Sequence, residues 1–170
     1  MELDEAIRSR RMCRDFADRP VADATVARLL ERARWAPSAG ATRGWRWRIL
    51  AGPDRDTFWR HEDPALAPAG VVRAPVVILP LTSPRPYLAR YSRPDKAGLG
   101  RDVAEGWAVP YWLVDTSFAV MLMLLGAVEE GLGALFFALH CDARALLADL
   151  GVEPGWEPLG AVAVGWPGRP

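Results

Sequence analysis

Between Val114 and Glu130 the chain is apolar almost all the way round a helical wheel. A helix that is hydrophobic on every side is stable only inside a packed structure or in a bilayer. The longest uninterrupted apolar stretch, Phe118 to Val128, falls well short of the roughly 20 residues that a bilayer needs. Asp115 also precedes it by less than one turn. The segment therefore reads as a core helix buried on most sides, and the rest of the chain must supply the layers that cover it. At 170 residues the chain is expected to form one compact domain over 1–170.

The flanking pattern mixes helices and strands. Leu3, Ala6, Ile7 and Arg10 fall at helical spacing, so 3–11 reads as a short amphipathic helix. Asp23 is placed to cap a second helix, whose apolar face is Val26, Leu29, Leu30 and Ala33, and Pro37 helps to end it. Residues 38–44 are mostly small and read as a loop. Trp45, Trp47 and Ile49 alternate with Arg46, Arg48 and Leu50 as in a strand, which the turn signal Gly52-Pro53-Asp54 ends. Val76 to Leu79 reads as a buried strand, and residues 83–112 as a long loop without a period, a candidate lid. Ala134 to Leu139 is a strand, Asp142 caps a helix through Leu150 that Gly151 closes, and Leu159 to Val164 is the last strand. With no regular βαβ repeat, the expectation is an α+β sandwich around one sheet.

Several classes are disfavoured. Acidic and basic residues balance at 21 each, which gives no electrostatic argument for nucleic acid or an anionic membrane as partner. Cys13 and Cys141 are too few for a disulfide framework, and residues 1–5 are acidic with no apolar signal core behind them. A reduced, cytoplasmic protein is expected. No GxGxxG follows a strand, and no Gly-x-Ser-x-Gly elbow is present. His61-Glu62-Asp63 and His140-Cys141-Asp142 lack the spacing of a helical zinc pair, so no metal is expected.

Two segments carry chemistry. Residues 8–14 hold Arg8, Arg10, Arg11 and Arg14 and no acid. Arginine's planar fork fits phosphate bidentately, so the cluster suits a terminal phosphate monoester; a solvated basic face at a helix C-terminus is the other reading. The second segment is Ala36-Pro37-Ser38-Ala39-Gly40-Ala41-Thr42-Arg43-Gly44-Trp45. Its small side chains let backbone approach a flat ring, although a plain helix-to-strand connection would look similar.

Together these segments resemble the nitroreductase family of flavoenzymes. Arg10-Arg11-Met12-Cys13-Arg14-Asp15-Phe16 is similar to the family's Arg-x-Ser-x-Arg-x-Phe, and the stretch 36–45 to its Ala-Pro-Ser-Ala-Gly-Asn-x-Gln-Pro-Trp. Val114-Asp115 opening the apolar helix, Gly131-Leu132-Gly133-Ala134 and the closing strand ending at Gly165 also look like the family. Met12 stands where the family often has serine, Ala41 for asparagine, Arg43 for glutamine, and Ala138-Leu139 for Glu-Gly.

The resemblance implies a homodimeric sandwich with a mixed, mainly antiparallel sheet flanked by helices, binding FMN between its subunits. Arg10, Arg11 and Arg14 would contact the phosphate, with Arg169 as a further basic contact. Pro37, Ser38, Ala39, Ala41 and Arg43 would belong to the flavin-facing loop, reached from the partner subunit. Phe136, Phe137, Ala138 and Leu139 would pass the central ring, a backbone N–H of Ala138 or Leu139 reaching flavin N5. Such a donor suits a reduced, electron-rich nitrogen. Tyr111 and Trp112, with Lys96 near an anionic group, are candidate substrate contacts, or they simply pack the long segment onto the body. NAD(P)H would reduce the flavin, and a nitroaromatic, quinone or enone-like acceptor would reoxidise it by ping-pong, with no essential catalytic side chain. A non-catalytic flavin-binding or sequestering protein, and a flavin-fragmenting or deazaflavin-linked enzyme, stay open on the same fold.

Overall fold

A computed structural model describes every residue except 64, 65, 67, 68, 169 and 170. The sheet contains β1 (Arg46–Leu50), β2 (Val76–Thr82), β3 (Gly133–Phe137), β4 (Glu157–Pro158) and β5 (Ala161–Gly165). Its order is β1-β2-β5-β3, with β4 added beside β2. All pairings between these strands are antiparallel; a parallel element enters through the single bridge of Met12 with Ala134. The mainly antiparallel α+β sandwich is thus the observed architecture.

The period of two along β2 divides the core. Val76 and Ile78 face a layer formed by α2 (Asp23–Ala33) and the long helix α5 (Tyr111–Glu129). Val77, Leu79 and Leu81 face the opposite layer, formed by α3 (Pro53–His61) and α6 (Ala143–Asp149). β2 is buried along its whole length, as a strand covered on both faces must be. Two shorter helices complete the set, α1 (Leu3–Ser9) beside α5 and α4 (Arg85–Tyr91) beside the 39–41 turn.

α5 packs along α2 and touches β2 and β3. By length and composition it is, among the described residues, the one helix that would suffice to cross a membrane; its packing is that of a core helix. The expectation of burial on most sides needs correction. Asp115, Thr116, Ala119, Val120, Met123, Leu124 and Ala127 are buried, but Tyr111, Phe118 and Met121 lie exposed on the other side. α5 ends in a Schellman turn: Gly131 takes φ +70°, its N–H donates to Val128, and the Leu132 N–H donates to Ala127. That reversal sends the chain directly into β3.

Other boundaries shift for physical reasons. Asp23 is the first residue of α2 rather than its cap; Ala22 occupies the cap position, and the Asp23 carboxylate sits at the positive end of the helix. Asp142 caps α6 as expected, accepting from the N–H groups of Arg144 and Ala145 at 2.9 and 3.2 Å. Gly52-Pro53-Asp54 follows the end of β1 as expected and also opens α3, because proline suits the first helical position. Residues 83–112 are not a plain loop: they contain α4 and two short 3₁₀ turns.

Candidate functional site

Beyond β3 the sheet edge is only partly covered. The segment after α1 runs along it, with Met12 bridging Ala134 and the Cys13 N–H donating to the Ala134 carbonyl at 2.9 Å. Gly133 makes this approach possible, since a Cβ there would lie 2.6 Å from the Cys13 sulfur. Backbone groups alternate sides along an antiparallel strand, so those of Phe136 face the same open edge as the Ala134 carbonyl.

Beside this edge lies a cavity of about 360 Å³. Ser9, Arg10, Arg11 and Cys13 line one wall, and Leu124 and Val128 of α5 with residues 131–134 line the other. Arg10 is among these lining residues, and its Nη1 is buried with no partner among the described residues. A buried guanidinium N–H without an acceptor is costly, so this is where an anion gains most. Arg11 also lines the cavity but donates through Nη1 to the carbonyls of Arg8 and Arg10 at 2.5 and 2.9 Å. Arg14 is exposed, with a 3.4 Å contact to the Met12 carbonyl, and is not part of the lining. Arg169 lies outside the described residues.

The 36–45 loop sits elsewhere. It is pinned by Asp115 near the start of α5, whose carboxylate accepts from the Ala39 N–H at 2.8 Å and from the Tyr87 hydroxyl at 2.9 Å. Burial raises the Asp115 pKa, while these two donors pull it back. Burial, then the neighbouring carboxylate, holds the Tyr87 phenol well above its usual range. Ser38 accepts from the Arg43 N–H at 2.9 Å, and the Arg90 guanidinium donates to the Gly40 carbonyl at 3.1 Å. These contacts sustain left-handed backbone at Ala41 (φ 54°) and Arg43 (φ 48°), which costs a non-glycine residue about 1–2 kcal/mol. Pro37, Ala41 and Arg43 are exposed, and Ser38 and Ala39 half-buried.

The arginine segment and this loop do not meet within one chain. Asp115 stands nine residues before Leu124 and thirteen before Val128 on α5, roughly 14–20 Å along the axis at 1.5 Å per residue.

The expected strand to Leu139 stops at Phe137. Phe137 stacks on Trp59, with ring centroids 6.3 Å apart and planes 4° from parallel. Phe136 packs against the α2–α5 layer and Leu139 against the α3–α6 layer, while Ala138 is exposed. Just beyond, the two acidic–histidine clusters of the sequence meet. Glu62, 1% exposed, accepts the His140 backbone N–H at 2.9 and 3.0 Å and lies 2.7 Å from His140 Nδ1. His61 turns away to Asp149, at 2.8 Å. Burial, reinforced by Glu62, pushes the Cys141 thiol up to about 11. No local pattern could have revealed the Glu62–His140 pair, because its members are 78 positions apart.

The aromatic residues of 83–112 pack largely on one another. Tyr87, Tyr91 and Trp107 are buried, and Trp112 lies 6.1 Å from Trp107 between ring centroids. The Lys96 ammonium lies 5.5 Å from the Tyr91 ring, and Tyr111 remains 40% exposed. Packing of the segment onto the body accounts for the buried members; Tyr111 is the one expected substrate contact with substantial free surface.

Known proteins share this fold. A 54-residue stretch is 39% identical to the nitrobenzene nitroreductase of Ectopseudomonas oleovorans, covering 32% of this chain and only about a quarter (24%) of that protein. A solved structure from Desulfovibrio desulfuricans, described as a nitroreductase in complex with FMN, superposes with a TM-score of 0.76 at 25% identity, over 99% of this chain and 88% of that one. The nitroreductase family protein of Streptococcus pneumoniae superposes with a TM-score of 0.81 at 17% identity, over 99% and 92%. The family profile itself matches residues 7–166, and the chain belongs to the nitroreductase family.

Proposed function

We propose that this chain is an FMN-dependent oxidoreductase, a single domain acting as a cytoplasmic homodimer, that takes electrons from NAD(P)H and passes them to a nitroaromatic, quinone or enone-like acceptor. The observation that carries the reading is Arg10, which lines the cavity beside the open edge of β3 and keeps a buried guanidinium N–H without a partner among the described residues. An anionic phosphate supplies the missing acceptor, and an unpaired strand edge supplies donors and acceptors for a flat heterocycle. The FMN bound by the Desulfovibrio relative supports the choice of group.

The separation of the two motifs along α5 supports the dimer. A second copy packed with its α5 reversed brings its 37–43 loop to the first copy's arginine segment. Tyr111, Phe118 and Met121 offer the exposed apolar face for that contact.

When bound, FMN supplies hydride acceptance and onward electron transfer. The protein's part is to hold and to shield. Arg10 would anchor the phosphate, with Arg11 at the rim and Arg14 as an outer charge. Ser38 and Ala39 of the partner loop cover the ring, and the backbone at Ala138–Leu139 faces N5. The 83–112 segment is the lid that bounds the open face, Tyr111 being its contact with a flat substrate and Lys96 its positive charge. Orientation and a backbone donor suffice, so no titrating side chain is essential.

The test is FMN titration, followed by absorption and fluorescence, of the parent and Arg10→Ala. Loss of one charge-assisted phosphate contact, about 1.5–3 kcal/mol, weakens binding roughly 10- to 150-fold. A parent without flavin affinity refutes the proposal.

A further inference from the structure

One buried carboxylate braces the end of β3 and has no part in the reading above. Glu62 follows directly on α3; it shares the His140 main-chain N–H between both oxygens, lies 2.7 Å from the His140 ring nitrogen, and also bonds the Cys141 thiol. A carboxylate is buried at tolerable cost only where its oxygens are bonded, so the position of Glu62 is tied to that of His140. The same helix grips the strand one step earlier. Phe137 stacks on Trp59 and meets Phe58 edge-on, with centroids 6.2 Å apart. Both grips leave only Ala138 and Leu139 between them. Ala138 has too small a side chain to hold itself in place, and it is exposed.

We infer that Glu62 is a positioning residue: by holding His140 it sets the direction of the Ala138–Leu139 backbone, the donor that faces flavin N5 in the function proposed above, on which this inference rests. Neither Glu62 nor His140 needs to touch the flavin. The surroundings agree with this role. His61 is engaged by Asp149, and the Cys141 thiol, raised as it is, stays neutral beside the carboxylate at ordinary pH. Glu62 thus holds the turn as an acceptor.

Glu62→Gln tests the role. It keeps the volume but turns an amide NH₂ toward a backbone N–H, loosening the turn. In the flavin-free protein the His140 amide is expected to exchange hydrogen at least tenfold faster than in the parent. In the loaded protein, affinity for oxidised FMN stays within about threefold, because the phosphate contacts are untouched. Affinity for reduced FMN falls about tenfold, the order of one hydrogen bond, which lowers the midpoint potential by about 30 mV for a two-electron couple. Glu62→Asp keeps the carboxylate on a shorter stem and moves both readouts the same way by less; it carries the test if the glutamine variant does not fold.

An unchanged potential in a folded, FMN-loaded variant overturns the inference, and so does unchanged exchange at His140. Either result leaves the proposed function standing. A parent that takes up no FMN refutes that function and this role with it.

Discussion

Asp115→Ala removes the acceptor shared by the Ala39 N–H and the Tyr87 hydroxyl. Both donors lie against a residue only 2% exposed, so neither regains water easily. An orphaned buried donor costs about 1–3 kcal/mol, and two cost about 2–6 kcal/mol. Relief from burying the carboxylate pulls the net toward the low end, about 2–3 kcal/mol, or roughly 4–12 °C in Tm for a chain of this size. Calorimetry reads this directly. Asp115→Asn should cost about half as much, since its carbonyl satisfies one donor while its NH₂ faces the other. Adding Tyr87→Phe to it removes that second clash, so the double variant should be about 1 kcal/mol more stable than the sum of the singles. The pH response has a definite sign. Because burial raises the Asp115 pKa in the fold, the folded protein keeps this proton longer than the unfolded chain. Stability therefore declines, relative to Asp115→Asn, as pH rises from the ordinary carboxylate value through the raised one. Single changes that add within about 0.5 kcal/mol, or an alanine variant melting with the parent, refute the shared-acceptor argument.

Glu130, bonded first by Arg28 and then by Arg32, is held down at about 2. Its contribution should be complete above the ordinary 4.5 and lost as pH falls toward about 2; Glu130→Gln should flatten that acid limb in chemical denaturation. At neutral pH the same variant should lose about 1 kcal/mol, a modest figure because both arginines reach solvent. Phe118→Asp should give a monomer in sedimentation and reduce FMN uptake; a flavin-loaded parent that sediments as a monomer would sink the two-copy site. Steady-state kinetics should give parallel double-reciprocal lines, with aromatic carboxylates competing against the nicotinamide, whereas intersecting lines would reveal a second binding surface.

What the sequence disclosed follows how local each signal is. α2 carries a clear helical period, β2 an unbroken apolar run, and the Asp142 cap sits within three residues of the donors it satisfies. The sequence hid α3 because only Phe58 and Trp59 of its nine residues are buried, and adjacent residues give no helical spacing. α4 begins among Pro84 and Pro86, which read as loop signals although proline fits a first helical turn. Along α5 the apolar pattern was correct, but it could not separate residues facing this chain's core from Phe118 and Met121 facing outward. At the candidate site, the arginine cluster pointed to the cavity, yet only the structure separates Arg10, with its unspent N–H, from Arg14 outside the lining. Asp115 and Glu62 act across 76 and 78 positions, distances over which one sequence carries no pairing signal.

The distance between the loop end and the arginine end of α5 has a genetic meaning. If each pocket draws Arg10 from one copy and Ser38–Ala39 from the other, a lesion in either motif harms both pockets of a pure mutant pair. Mixed pairs behave differently. A chain damaged only at Arg10, joined to one damaged only in the loop, assembles one pocket carrying both lesions and one carrying neither. Two inactive alleles expressed together would then restore activity that neither yields alone, whereas two lesions in the same motif would not.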